Sequence, residues 1–183
     1  MDHFHRRYRS AWPQRRTTLD DSLFKAVCEC QKAQCWKCLS ATATYSEVFR
    51  ASPVERIQII RGGVSARWAR SIFTDLGLGT VQGYLVVGLA PATVNRKATL
   101  GSALTLAQGE RIIGVARMIG QVQHMTERNQ APPSFDPVAW FGDWLRSPLP
   151  AFGGACPMQF LDTMEGQALV SSTLERMESG AYS

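Results

Sequence analysis

The 183-residue sequence predicts an all-α fold. From residue 52 onwards, apolar residues recur at three- and four-residue spacing, which is the pattern of helices that bury one face. Glycines and prolines divide these stretches into short lengths, as expected at helix ends and in connecting loops. The alternating pattern of a half-buried strand is scarce. We therefore expect short helices packed around a shared core.

The first two predicted helices have clear boundaries. Ser52, Pro53 and Glu55 form a capping box with proline at the first helical position, and Gly62-Gly63 ends this helix. Residues 64–75 form the second helix, which ends at the segment Leu-Gly-Leu-Gly of residues 76–79. Its expected core residues are Ala66, Ala69, Ile72 and Phe73.

The remaining helices follow in order. Thr80 is expected to cap a third helix that stops at Gly88, and residues 91–97 form a short fourth helix. Residues 106–126 have the strongest helical periodicity in the chain. Residues 135–145, 157–161 and 165–178 complete the fold, and either Asp162 or Thr163 can cap the last helix.

Residues 80–96, TVQGYLVVGLAPATVNR, have the pattern of a helix-turn-helix unit. Gly88 supplies the turn, and the second helix would present four DNA-binding side chains. These are Thr93, Asn95, Arg96 and Lys97. Asparagine suits adenine, arginine suits guanine or phosphate, and lysine suits phosphate.

Two features of this unit depart from the usual pattern. Tyr84 occupies a position, four residues before the turn glycine, where a small residue is usual, and Ala90 cannot cap the second helix through its side chain. The alternative interpretation is that this helix pair serves only packing or dimerisation.

Charge is distributed unevenly along the chain. Residues 1–130 carry a net charge of +9 and residues 131–183 carry −4. Nucleic acid would suit the basic part and a basic protein surface the acidic end, although ordinary solvated surfaces would give the same totals. No apolar stretch is long enough to span a membrane and no secretory signal is evident, so we expect a cytoplasmic protein.

No pattern of catalytic residues is found. The three histidines, His3, His5 and His124, have no Ser/His/Asp or Cys/His arrangement with supporting spacing. The glycines at 77 and 79 form too short a motif for a dinucleotide loop. We therefore expect no enzymatic activity and no cofactor.

The first 51 residues are interpreted as a variable, partly disordered basic and cysteine-rich extension. Four cysteines lie within eleven residues: Cys28, Cys30, Cys35 and Cys38. Their gaps of one, four and two residues differ from the two separated pairs of a structural zinc site, so we expect no metal. A metal-dependent regulator is the alternative. Residues 52–130 would form the helix-turn-helix core and 131–183 a small C-terminal subdomain.

The last fifty residues contain the most specific pattern. Its members are Trp144, Leu145, Pro148, Phe152, Gly153, Gly154, Pro157, Leu161, Thr163, Gly166, Val170, Leu174 and Gly180. This spacing resembles the toxin-binding region of the Xre/MbcA/ParS-type antitoxins. Residues 90–97 and the helix around residues 110–117 are similar to the helix-turn-helix core of the same family. The resemblance covers residues 52–183.

The resemblance implies a function and a set of binding residues. Such antitoxins pair with a RES-type toxin that consumes NAD, cover its active site, and often repress their own operon as homodimers. The toxin-binding residues would be Trp144, Leu145, Phe152, Gly153, Gly154, Pro157, Leu161, Thr163, Gly166 and Tyr182. Tyr182 belongs to a small tail suited to a partner's cleft. A stand-alone DNA-binding transcription regulator is the alternative.

Overall fold

A computed structural model describes residues 44–180 of the chain. The first five α-helices in this range are α1 (Tyr45–Arg50), α2 (Pro53–Gly62), α3 (Ala66–Asp75), α4 (Thr80–Val86) and α5 (Pro91–Thr99). They are followed by α6 (Leu106–Arg128), α7 (Pro137–Arg146), two 3₁₀-helices (Pro150–Phe152 and Pro157–Phe160) and α8 (Met164–Glu178). The all-α prediction is confirmed for the described residues.

The helix boundaries follow from local capping chemistry. The predicted capping box is present: the Ser52 hydroxyl accepts from the Glu55 amide, and the Glu55 carboxylate accepts from the Ser52 amide. Of the two candidates for the last helix, Thr163 is the residue that caps α8. The prediction for Thr80 was wrong, because Gly79 occupies the N-cap position of α4 without a side-chain bond and Thr80 begins the helix.

Helix α6 is the centre of the molecule. Its apolar face is almost fully enclosed by α1, α2, α7 and α8. The enclosed side chains, each no more than 3% exposed, are Ile112, Ile113, Val115, Ala116, Met118, Ile119 and Val122. These side chains are therefore used within one chain and are not available for a contact between two copies.

Three buried glycines let other parts of the chain approach α6 closely. A Cβ atom at Gly120 would lie 2.1 Å from the backbone oxygen of Tyr45, and one at Gly114 would lie 1.8 Å from Oε1 of Gln167. At Gly109 it would lie 2.9 Å from the Val64 side chain. The backbone of α1 therefore approaches α6 at a distance that only glycine permits, and Gly114 leaves room for the buried Gln167 side chain of α8.

Helix α1 is an integral part of this core. Val48 is fully buried, Arg50 pairs with Glu127 at 3.0 Å, and the Ser46 hydroxyl donates to Gln123 at 3.0 Å. We had placed residues 45–50 in the N-terminal extension. The structure packs them along α6, so a boundary after residue 51 separates α1 from the helix it covers.

The contact between Tyr45 and Asp75 predicts a dependence of stability on alkaline pH. The Tyr45 hydroxyl donates to the Asp75 carboxylate. Burial raises the pKa of Tyr45 above its ordinary value, and the hydrogen bond and negative charge of Asp75 raise this pKa further. The unfolded chain loses this proton first, near pH 10, so the free energy of unfolding should fall as the pH rises beyond that value.

Urea unfolding between about pH 8 and pH 11, for the wild type and Tyr45→Phe, measures this effect. The free energy of unfolding of the variant should fall less steeply with pH than that of the wild type. Part of the fall should remain, because burial also raises the pKa of Tyr84. Equal declines in the two proteins would contradict the role given to Tyr45.

Candidate functional site

Helices α4 and α5 form the predicted helix-turn-helix unit. Gly88 has a φ of +65°, which glycine adopts without strain, and the Leu89 amide donates to the Tyr84 carbonyl at 2.7 Å. The turn is therefore tightly closed at the predicted position. As expected, Ala90 makes no side-chain cap at the start of α5.

Tyr84 is accommodated by its neighbours. Its ring is fully buried and meets the Phe73 ring edge-on, with centroids 5.6 Å apart. The small residue of this helix is instead Gly83, where a Cβ atom would lie 2.3 Å from the Phe73 ring. Sequence reasoning had looked for the small residue one position later.

The four predicted DNA-binding side chains differ in their surroundings. Asn95 and Arg96 are exposed, whereas Thr93 is half-buried. Nζ of Lys97 donates to the carbonyl of Ala103 at 3.1 Å, so this ammonium group also anchors the loop that follows α5. Asn95 and Arg96 are thus the two that project fully into solvent.

The segment that forms this unit contains no acidic residue. The segment 76–109 contains no aspartate or glutamate, while Arg96 and Lys97 are both on α5. A segment with basic and no acidic side chains favours a polyanion. One carboxylate from another part of the chain is close by, because Asp162 lies beside the turn at Gly88.

Two arginines outside the unit hold its helices in place, and sequence reasoning did not single them out. Nε of Arg67, on α3, donates to the Ala98 carbonyl at 2.8 Å, near the end of α5. Nη1 of Arg111, on α6, donates to the Gly88 carbonyl at 3.0 Å, in the turn. Both bring positive charge to carbonyl groups at a helix end, where the helix dipole favours it.

The predicted toxin-binding residues fall into a buried and an exposed group. The side chains of Trp144, Leu145, Phe152, Pro157 and Leu161 are buried, and Gly166 lies where a Cβ atom would be 1.9 Å from the Phe160 carbonyl oxygen. These residues build the C-terminal subdomain, so they can support a binding surface but do not form one. This differs from the direct contacts that we expected.

The exposed group consists of Gly153, Gly154 and Thr163. The two glycines have φ values of +64° and +85°, and a Cβ atom at either position would meet nothing within 4 Å. They therefore form an open loop between the two 3₁₀-helices. Tyr182 and the four clustered cysteines lie outside the described residues.

The C-terminal subdomain is joined to the helix-turn-helix core by short polar contacts. Nη1 of Arg146 donates to the Gly77 carbonyl at 3.1 Å, and Nε2 of Gln167 donates to the carbonyls of Leu161, at 2.8 Å, and Arg111, at 3.2 Å. Arg111, whose carbonyl accepts from Gln167, is also the residue whose side chain holds the turn at Gly88. Side-chain and backbone contacts thus connect the two candidate surfaces.

A buried pair fixes α8 along α6. The Ser171 hydroxyl donates to Oε1 of Gln121 at 2.7 Å, and Nε2 of Gln121 donates to the Ser171 carbonyl at 3.0 Å. Because unpaired polar groups are costly in the interior, this exchange favours one alignment of the two helices.

Residues 44–180 contain neither a candidate membrane span nor a candidate metal site. Within this range no helix has the length and apolar character needed to cross a bilayer. Nor do three or more histidine, cysteine, aspartate or glutamate side chains of these residues come together as a potential metal site.

Two regions of the chain match models of known protein families. The family model of the antitoxin Xre-like helix-turn-helix domain matches residues 55–117. The model of the antitoxin Xre/MbcA/ParS C-terminal toxin-binding domain matches residues 134–180. A curated relative, the Prs ADP-ribosylating antitoxin of Sphingobium sp. (strain YBL2), is 41% identical over 138 residues, which cover 75% of this chain and 87% of that protein.

Proposed function

Since the chain belongs to the Xre/MbcA/ParS antitoxin family and is thus an antitoxin of a toxin–antitoxin system, we propose that it neutralises a RES-type, NAD-consuming toxin by binding over the toxin's active site. The observation that carries this proposal is the toxin-binding domain match over residues 134–180. The name of the relative adds support, because ADP-ribosyl transfer uses NAD as its donor.

The contact surface is proposed to be the open loop at Gly153-Gly154 together with Thr163 and the tail residue Tyr182. The loop and Thr163 are exposed on a segment, residues 131–183, with a net charge of −4. An enzyme that binds the pyrophosphate of NAD offers arginine or lysine for it, and an acidic surface complements such a site. The buried predicted residues, among them Trp144 and Leu161, would hold this surface in shape.

We also propose that the protein represses its own operon as a cytoplasmic homodimer and has no catalytic activity of its own. The exposed Asn95 and Arg96, on a segment (76–109) without acidic residues, support DNA binding. The proposed segmentation into residues 1–51, 52–130 and 131–183 is kept with one change: α1 is moved from the first segment into the core. A stand-alone transcription regulator is the second candidate, because the helix-turn-helix domain alone would suffice for it.

Co-expression with the toxin-sized product of the adjacent reading frame tests the proposal. Removing residues 131–183 would strip buried side chains such as Phe141 and Leu174 from the core, so a single substitution is sharper. Gly154→Arg places bulk and positive charge on the open loop and should weaken toxin binding at least tenfold. Cells that express the toxin should then no longer be rescued by the antitoxin, and their NAD content should fall.

Gly101→Arg is the matched control. Gly101 is also exposed and has a φ of +66°, so its substitution carries a comparable backbone strain of about 1–2 kcal/mol. A Cβ atom there would make only an ordinary contact, 3.7 Å from the Arg67 side chain, and lies away from the proposed toxin contact. Neutralisation that survives Gly154→Arg would contradict the proposed surface. A wild-type chain that retains no adjacent gene product would favour the stand-alone regulator.

A further inference from the structure

One surface of the molecule exposes several large apolar side chains side by side. We call it the α2 face, and it is formed by α2, the first turns of α6 and the first residue of α8. Its four exposed apolar residues are Val54 (63% exposed), Ile57 (45%), Leu106 (60%) and Met164 (43%). Clustered exposed apolar residues on a folded chain mark an interaction surface more often than isolated ones do.

Three of the four exposed apolar residues, Ile57, Leu106 and Met164, border adjoining cavities. Ile57 and Ile60, together with Glu110, line two adjoining shallow cavities of about 180 and 220 Å³. Met164 and the edge of Ile113 border the first cavity, and Leu106 borders the second. Helix α2 buries only Ile59 below 9% exposure, so most of its apolar residues have no enclosed position within the described chain.

Charges of both signs surround this apolar centre. Arg56 borders the first cavity, but its guanidinium donates to backbone carbonyls at the end of α1. Three further charged residues lie here: Arg117 borders the first cavity, Arg61 borders the second, and Glu110 borders both. Among the described residues none of these three forms an ion pair. A face that carries both arginines and a glutamate can be complementary to a copy of itself, because a two-fold contact that sets Glu110 against an arginine of the second copy forms the same pair twice.

We propose that the α2 face is the surface through which two copies of this chain associate. The inference rests on the homodimeric part of the proposed function and gives it a location. The matched toxin-binding domain covers residues 134–180, whereas every residue of this face except Met164 lies before residue 118. An apolar centre with a glutamate also does not suit DNA, so a second copy is the occupant that both charge and position favour.

Substitutions of the apolar centre test the proposal in the full-length chain. Ile57→Glu and Leu106→Glu each place a charge in the contact, and each should raise the dimer dissociation constant by roughly 30-fold or more. Leu85→Glu is the control, because Leu85 is equally exposed, at 61%, but lies on α4. Sedimentation over a range of concentrations gives the constants, and circular dichroism confirms that each variant is folded.

A charge-exchange experiment makes the test independent of the apolar substitutions. The variant Arg61→Glu/Arg117→Glu has only negative charge at these three positions, and Glu110→Arg has only positive charge. Each variant alone should be more weakly dimeric than the wild type, while an equimolar mixture should form a mixed dimer. Differentially tagged chains reveal that species directly.

The outcomes separate the location of the contact from the existence of the dimer. If Ile57→Glu and Leu106→Glu leave the dimer dissociation constant unchanged, and the charge variants form no mixed dimer, the α2 face is not the contact, although the protein is still a dimer. A wild-type chain that stays monomeric at all concentrations would overturn both the face and the homodimeric part of the proposed function. Toxin neutralisation, measured separately, does not enter either result.

Discussion

Replacing Gly142 with alanine is expected to lower the free energy of unfolding by about 2 kcal/mol and the melting temperature by roughly 4–8 °C. A Cβ atom at this position would lie 2.1 Å from the backbone oxygen of Leu76, at the end of α3. Backbone atoms cannot rotate away as a side chain can, so α7 must shift. That shift would disturb the packing of Phe141 and Leu145, both fully buried. Thermal and urea unfolding measure the loss.

Gly62→Ala is the matched control for this substitution. Gly62 ends α2 with nothing within 4 Å of its Cβ position, so the exchange should be neutral or stabilise the chain by less than about 1 kcal/mol. Toxin neutralisation should decline with Gly142→Ala, because α7 carries the supporting residues of the proposed binding loop. Equal stability of the two alanine variants would show that α7 and α3 do not pack as described.

Replacing Arg96 with alanine is expected to weaken binding to duplex DNA from the region upstream of the protein's own gene by about tenfold to a hundredfold. Arg96 is exposed on α5 and has no partner among the described residues. If affinity falls equally for all DNA sequences and its salt dependence decreases by about one phosphate contact, Arg96 contacts the DNA phosphate backbone. A loss confined to one base position would assign it to direct readout. Fluorescence anisotropy at several salt concentrations distinguishes the two.

The neighbouring Lys97→Ala provides an internal comparison. The Lys97 ammonium group is bonded to the Ala103 carbonyl, so its removal should affect DNA affinity less than Arg96→Ala does. Asn95→Ala should relax the preference for adenine at its position without changing the salt dependence. If Lys97→Ala costs more affinity than Arg96→Ala, the orientation given to α5 is wrong. Absence of DNA binding by the wild type would contradict the repressor part of the proposed function.

The elements with strong local signals were predictable from sequence. The capping box at Ser52 and Glu55 fixes the start of α2, and the turn at Gly88 separates α4 from α5 as expected. These features depend on residues a few positions apart, so their spacing in the chain carries the information. The family pattern of the C-terminal segment was equally readable, because it is long and contains many glycines and prolines.

Contacts between distant segments were not predictable in the same way. Nothing near Gly120 indicates that the Tyr45 carbonyl approaches it, and nothing near Arg111 indicates that it holds the turn at Gly88. The candidate toxin-binding residues show the same limit. Their spacing identified the right region, but burial of Leu145 and Leu161 depends on how α7 and α8 fold onto α6.

The close fit of α8 against Gly114, and its paired alignment through Gln121 and Ser171, constrain how new partner preferences can arise. A chimera that takes only its last fifty residues from a homologue would pack the homologue's α8 against the α6 of this protein. Exchanges that carry residues 106–180 as one block keep both sides of that contact together. Recombination between related antitoxins should therefore succeed more often when the crossover precedes α6 than when it follows it.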